Sequence, residues 1–474
     1  MSKPSINFLS QDEIESIHDT SLKVLERTGV KVMSKQALDI LKKAGAKVDY
    51  VNERVTIPRN LVEEALEMAP KTITYAARNP KYDFVLDKKK THFCATANPP
   101  LMIDGETGEC RYSTAEDIVD CLVVADYLNN VDMVWPFGAD LNVPGPMLHI
   151  LNMYTSLLHS GKHFEGDAVT TEQAKYQLEI AATIVGGKEE LKKRPIISTV
   201  ICTISPLMFD GGMTDASIEY ARAGVPVLIN PMTAVGQLSP ATMAGTIVVN
   251  TVEFLGGLVI QELANPGAPV AWAPSCGTVN FKTGRHKWSP ESSLMSMGVG
   301  QLARRYGLPT KRGGLGSSSK LLDAQAGYQK AISLIPDLLL TPDISGGVAT
   351  LGPGTCLETM VIDNEIIDYA FRYLEGLEVN DDTLALDVID KVGPGGHFLG
   401  EKHTLQHFRE GWMPEITDME TFEIWDSKGS KSIAQIAKEK TREILATHKP
   451  EPIAEDVERE ISCILKRAES ELLK

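Results

Sequence analysis

Two rhythms of apolar residues divide the chain. Up to about residue 90 the pattern is mainly helical. Ser10-Gln-Asp-Glu13 has capping-box spacing, which lets a hydroxyl and a carboxylate three residues apart each accept a backbone N–H at a helix start. It opens an amphipathic run through Leu22, Val24 and Leu25. Residues 48–57 alternate apolar and polar, as a pair of strands would. Beyond residue 91, short apolar or β-branched runs ending in Gly, Pro, Ser or Asn alternate with stretches bearing helix-start signals. The runs stand at 93–103, 132–137, 163–167, 196–203, 225–230, 270–275, 309–314 and 344–349. Ser113-Thr-Ala-Glu116, Thr170-Thr-Glu-Gln173 and Thr355-Cys-Leu-Glu358 read as capping boxes, and Ser239-Pro240 and Ser289-Pro290 as N-caps ahead of proline at the first helical position. With a helix after every strand, no hairpin is expected in this stretch.

Eight strand-then-helix units predict an α/β fold of the TIM (β/α)8 type, which needs ~250 residues. The expected division is a helical and extended leader over 1–90, the barrel over 91–376, and a C-terminal helical extension over 377–474 that packs on the barrel. A doubly wound open sheet is the alternative, but the Gly-x-Gly-x-x-Gly fingerprint that usually accompanies it is missing after the early strands.

The 474 residues include 47 basic and 63 acidic side chains, a net charge of −16. Without a dense Lys/Arg block, nucleic-acid and anionic-membrane binding are excluded as the main job, since both draw affinity from clustered positive charge. At 43% hydrophobic and 23% charged the chain is globular. The start lacks a signal-peptide core, and the longest apolar helix, near 241–264, carries Asn250, Glu253 and Glu262. The expected setting is therefore cytoplasmic. Seven scattered cysteines without Cys-x-x-Cys spacing imply neither a zinc ribbon nor a disulfide framework. His403 and His407 are four apart with Glu401 nearby, a pattern that fits an ordinary polar helix face better than a metal site.

Barrel enzymes work where strands end and helices begin. Those windows hold Asn98; Trp135 and Phe137; Phe164, Glu165 and Asp167; Asn230; Trp272; Arg312, Gly313 and Gly314; and Gly352-Pro-Gly354. Glu165 and Asp167, two apart on one strand, face the same way. Facing inward, they form an acidic mouth able to hold a metal, to act as acid and base, or to attract a cation. Otherwise one caps a helix and the other pairs with a lysine. Trp135, Phe137, Phe164 and Trp272 are either packing or the walls of a cation cage, each face worth ~0.5–2 kcal/mol to a desolvated ammonium. Arg312 is either a bidentate carboxylate anchor or a structural ion pair. The glycines either cradle an anion or let a bulky flat group approach closely. No Ser-His-Asp or Cys-His arrangement is apparent.

After the barrel, Lys391-Val-Gly-Pro-Gly-Gly-His-Phe-Leu399 and His403-Thr-Leu-Gln-His-Phe-Arg409, with Val361-Ile-Asp-Asn-Glu-Ile-Ile367 and Ser319-Lys-Leu-Leu-Asp-Ala-Gln-Ala326 upstream, resemble the trimethylamine methyltransferase family, in particular its members without pyrrolysine. The resemblance covers nearly the whole chain. It implies a corrinoid-dependent methyltransferase that passes a methyl group from an amine to the Co(I) of a separate corrinoid protein, with no tightly bound metal. Composition and spacing alone reach only a barrel with an aromatic and partly acidic mouth.

The position of pyrrolysine in the founding members falls around Gly313–Ser319, where only glycine, leucine and serine stand. A quaternary amine needs no such activation, because losing a methyl releases a neutral tertiary amine. The resemblance thus implies a betaine donor such as glycine betaine, proline betaine or carnitine. The expected roles are aromatic caging by Phe137, Phe164 and Trp272, charge balance and positioning by Glu165 with Asn230, and carboxylate binding by Arg312. Gly313, Gly314, Gly352, Gly354 and His397 are expected to meet the corrinoid. The rival readings are a zinc-dependent barrel methyltransferase for a thiol or alcohol donor, built on Glu165, Asp167 and histidines, and a betaine-binding protein without turnover. The apolar tail positions Ile453, Val457, Ile461 and Leu465 suggest a homo-oligomer.

Overall fold

A computed structural model describes residues 6–95, 100–287 and 289–474. All eight expected strands form one parallel sheet: β1 His92–Ala95, β2 Met133–Val134, β3 His163–Gly166, β4 Ile197–Cys202, β5 Val227–Asn230, β6 Val270–Trp272, β7 Lys311–Gly313 and β8 Ile344–Val348. Seven neighbouring pairs are laddered, including β8 back onto β1. The eighth seam is held by the bridge from Trp272 to Thr310, where Trp272 N–H donates to the Pro309 carbonyl at 3.0 Å. The fold is a TIM-type α/β barrel.

Buried on both faces, β2, β5 and β6 are apolar runs that stand out in the sequence, while β3 and β7 carry the charged side chains of the barrel wall. Asn98 falls outside the described residues. The expected absence of hairpins does not hold. Leu101–Ile103 pairs with Cys110–Tyr112, and Ser275–Asn280 with Arg285–Lys287. The run expected as one first strand over 93–103 is shared between β1 and the first hairpin, and the second hairpin begins at Ser275, the last residue of the run expected as the sixth strand.

The leader starts as expected. Helix α1, Gln11–Arg27, carries the capping box, with Ser10 N–H donating to Glu13 Oε2 at 2.8 Å. Lys47–Asp49 and Arg54–Thr56 pair antiparallel. The leader is tied into the barrel in two ways. Val30–Val32 pairs with Met208–Phe209 in the loop after β4. The hairpin of Ile73–Tyr75 and Phe84–Leu86 also joins one apolar cluster with the inward-facing Cys94, Met133, Val200, Leu228 and Ile344. It plugs the barrel at the N-terminal end of its strands, so a ligand can enter from the opposite end.

Helix α2, Met243–Ala264, is the one described helix long and apolar enough to cross a membrane, but most of it is buried inside the protein. It is a core helix packed against the leader. Helix α3, Leu357–Glu375, follows β8, and helices α4, Ile433–Thr447, and α5, Glu455–Leu472, lie on the outside. Of the tail positions expected to join subunits, Ile453 and Ile461 are buried within this chain and Val457 and Leu465 are partly buried against its core.

Candidate active site

Along β3 the side chains alternate. His163, Glu165 and Asp167 face the lumen, while Phe164 and Gly166 face the helices. At the floor, His163 Nδ1 lies 2.7 Å from the Ala76 carbonyl and Nε2 lies 2.9 Å from Ser198 Oγ. Burial pushes its pKa down to about 3, so the ring is neutral. Tyr75 of the plug lies against it, with ring centroids 4.3 Å apart.

Above the floor, Lys311 of β7 reaches across the lumen. Its ammonium pairs with Glu165, lies 3.5 Å from Cys94 Sγ and sits 4.2 Å from the centre of the Trp135 ring. Burial works to lower the Lys311 pKa, but Cys94 and Glu165 facing it hold it above its ordinary value. One cation thus faces two acids. Asp167, next up the lumen and partly open to the mouth, has its pKa raised to about 7 by burial first and by the charge of Glu165 second. Glu165 Oε2, Asp167 Oδ1 and Trp135 Nε1 have no hydrogen-bond partner among the described residues. Buried polar atoms normally find partners, so three orphans converging on one lumen mark a place for a ligand.

Asn230 reaches the same mouth, its amide donating to Cys202 Sγ at 3.6 Å. Gly313 is exposed there, with open space where a side chain would be. Behind the rim, Glu253 of α2 accepts from Ser205 Oγ and from Leu207 N–H, each at 2.8 Å, and also bonds Thr203. It fixes the loop that follows β4.

Several expected site residues lie elsewhere. Trp272 faces outward, stacked 4.4 Å from Phe254 at 6°, with its Nε1–H donating to Asn250 Oδ1 at 3.0 Å. Phe164 packs outward in the helix-facing cluster, and Phe137 belongs to that cluster at 1% exposure. Arg312, next to the lumen-facing Lys311, must point the other way. Its Nε lies 3.1 Å from Asp337 Oδ1, and its guanidinium donates to the carbonyls of Ser296 at 3.1 Å and Asp337 at 2.8 Å. It is the structural ion pair, not an anchor at the mouth.

Gly314 is pressed against Ser345, and side chains at Gly352 and Gly354 would strike the Ser319 and Leu101 carbonyls at 2.7 and 2.8 Å. These three glycines serve close packing of the chain. His397 is exposed, in the segment that follows the helix after β8. His403 and His407 do share a helix face, with ring centroids 4.2 Å apart, and Asp382 joins them, while Glu401 pairs with Lys391.

Sequence reading named Trp135 among the aromatic walls but missed Lys311, which reaches across the lumen to lie against it. Strand parity was the available signal: once Glu165 and Asp167 face inward, Phe164 cannot, and of the adjacent Lys311 and Arg312 only one can.

A TIM-type barrel plugged at one end, with an incompletely paired set of charges under an open mouth, is built as an enzyme site. A family model described as trimethylamine methyltransferase (MTTB) matches residues 1–472. The trimethylamine methyltransferase MttB of Desulfitobacterium hafniense is 33% identical over 465 residues, covering 98% of this chain and 94% of that protein. The glycine betaine methyltransferase of strain Y51 of that species is 31% identical over 468 residues, covering 98% and 97%. Among solved structures, the monomethylamine methyltransferase of Methanosarcina barkeri has a TM-score of 0.53 at 11% identity, over 98% of this chain and 88% of that one, a likeness of fold. The chain belongs to the trimethylamine methyltransferase family, and it is a methyltransferase of that family.

Proposed function

We propose that the protein takes a methyl group from a quaternary amine and passes it to a corrinoid carried by a separate protein. The observation that carries this reading is the charge balance of the lumen: two buried carboxylates, Glu165 and Asp167, face one cation, Lys311. A buried carboxylate without a counter-ion is costly, and a permanent cation seated against Asp167, beside the Trp135 wall, relieves that cost. The likeness to a glycine betaine methyltransferase supports the same donor class.

The chemistry asks little of the chain. The C–N bond breaks, its electron pair leaves with nitrogen as a neutral tertiary amine, and the methyl goes to the acceptor. The corrinoid, when docked, supplies a strongly nucleophilic Co(I). The exposed Gly313 leaves room for a bulky group to come close to the mouth. Asp167 holds the ammonium, Trp135 and the plugged floor exclude water, and Lys311 keeps Glu165 from competing for the donor. Fixing the donor in line, out of water, is the protein's contribution. A binding site built from Asp167 selects for positive charge and not for a carboxylate, since Arg312 does not reach the mouth.

The zinc alternative finds less support in the side chains. His163 is held by Ala76 and Ser198, and the one described trio of metal-ligand groups, Asp382, His403 and His407, is on the exposed segment after the barrel.

The test is the spectral change of a reduced corrinoid protein on methylation, run with a panel of amines. Quaternary donors, with and without a carboxylate, are expected to react, and trimethylamine is not. Equal rates with tertiary and quaternary donors would overturn the proposal. Tight donor binding with no corrinoid methylation would favour a binding protein.

A further inference from the structure

The segment from 377 to 431 departs from the rest of the chain. Only Ile416 is buried in it. Yet Leu377, Leu386, Leu399, Leu405, Phe408 and Met413 are 67%, 65%, 86%, 71%, 59% and 72% exposed. A large apolar side chain left open to this extent presents on the order of 100 Å², so the nine exposed large apolar residues between 377 and 410 expose on the order of 800 Å². The largest apolar patch on a typical monomer is about 300–600 Å².

The segment is ordered into short helices, Asp381–Leu384, Leu386–Val392 and Lys402–His407, too short to stand in water without packing. The hydrogen bonds and ion pairs described for 378–410 stay inside the segment, among them Lys391 to Glu401, His403 to the Asp382 carbonyl, and His407 to Glu410. It is an arm that holds its own shape but finds no cover in its own subunit.

The place of the arm narrows what covers it. Helix α3 begins at the mouth after β8 and runs back along the barrel for 19 residues, about 28 Å at 1.5 Å per residue. Its later part reaches the floor end, where Asn130, in the loop leading into β2, donates to the Asn364 carbonyl and to Asp368 at 3.1 and 2.8 Å. The arm starts at that end. It returns beside the same stretch of α3, where Trp412 packs 4.1 Å from Tyr369 and the Glu365 carboxylate accepts from the N–H groups of Glu415, Ile416 and Thr417. A methyl acceptor has to reach the mouth, so the arm is badly placed to receive it. A partner that comes and goes would also leave the apolar surface bare between visits.

We propose that the arm over 377–410 is a self-association element, covered by a second copy of this chain. The exposed area per subunit matches the ~800 Å² per partner of a standard interface and approaches that of permanent homodimers. An arm that leaves from the floor end leaves both mouths of a closed assembly open to an acceptor. The proposal does not depend on the donor or on the corrinoid, so it stands or falls apart from the proposed reaction.

Sedimentation velocity of the full chain at micromolar concentration tests it, together with the double variant Leu399→Glu/Leu405→Glu. Both side chains point to solvent, so the subunit keeps its fold. The expected results are a dimer or larger closed assembly for the parent, at least a hundredfold weaker association for the double variant, and unchanged assembly for Val51→Glu, which is 92% exposed on the leader. Hydrogen exchange is expected to show 377–410 gaining protection as concentration rises. A monomeric parent, an assembly indifferent to the double variant, or protection that appears only when a corrinoid protein is added would each overturn the proposal.

Discussion

Lys311 and Arg312 are adjacent in β7, both are buried, and both pair with a carboxylate, yet they belong to opposite sides of the barrel wall. Outside, one guanidinium meets one acid, Asp337, and two backbone carbonyls, and the account of charge is closed. Inside, one ammonium meets Glu165 while Asp167 remains without a cation. Burial and ion pairing are common to both. What separates these two is the imbalance, two acids against one cation beneath an open mouth where a ligand cation can complete the charge.

The sharpest way to break this contrast is to remove each cation in turn. Arg312→Met leaves Asp337 buried without its partner and is expected to cost about 3–5 kcal/mol of stability. The loss should be read from the denaturant midpoint and recovered by the further change Asp337→Leu. Methyl transfer per folded molecule is expected to stay within about twofold, since the Arg312 side chain does not reach the mouth. A specific loss of donor affinity in this variant would place Arg312 at the site after all.

Asp167→Asn inverts that pattern. Donor binding is expected to fall by about a hundredfold, the scale of a lost charge-assisted contact in a buried site. Stability is expected to rise at pH 8. The folded pKa of Asp167, about 7, lies above the unfolded value. Ionising this acid therefore costs stability as pH climbs from near 4 to about 7, and the cost is fully present above that. The substitution removes that cost, so thermal melts at pH 8 should show a gain that vanishes near pH 4. Coincident loss of binding and of stability at pH 8 would mean that Asp167 is a structural acid.

The aromatic residues give the smallest contrast. Trp135→Leu is expected to weaken donor binding by about 2–30-fold, the worth of one cation–π face. Trp272→Phe, behind the wall against Phe254, is expected to leave the donor Kd unchanged within error and to lower the melting temperature by a few degrees at most. The reverse ranking would return Trp272 to the mouth.

The barrel was legible from sequence because its strands are apolar runs closed by turn residues, and eight of them alternate with capped helices. The inner and outer faces were legible only in part, because β3 alternates polar and apolar residues while the apolar strands buried on both sides carry no such alternation to set their phase. Glu165 and Asp167 could be placed together by parity, but that choice already excluded Phe164 from the same wall. In β7 only Arg312 was weighed, although nothing in the sequence sets it apart from the adjacent Lys311, and the position of Asp337 in the helix after β7 decides between them. One strand of the first mouth hairpin was hidden inside the run read as a long first strand, and the second hairpin lies in a stretch read as the link to a helix. The arm carries the motifs that resemble the family most closely, yet nothing in its sequence tells that it leaves from the floor end.

The central claim is that a permanent cation completes the charge of the lumen by ionising Asp167. Calorimetry of a quaternary donor at pH 6.5, in two buffers of different ionisation enthalpy, tests it most directly. With an acid near 7, binding is expected to release about three-quarters of a proton per cation, and affinity to tighten up to pH 7 and stay level above it. No proton release, with equal affinity at pH 6 and pH 8, would contradict the account.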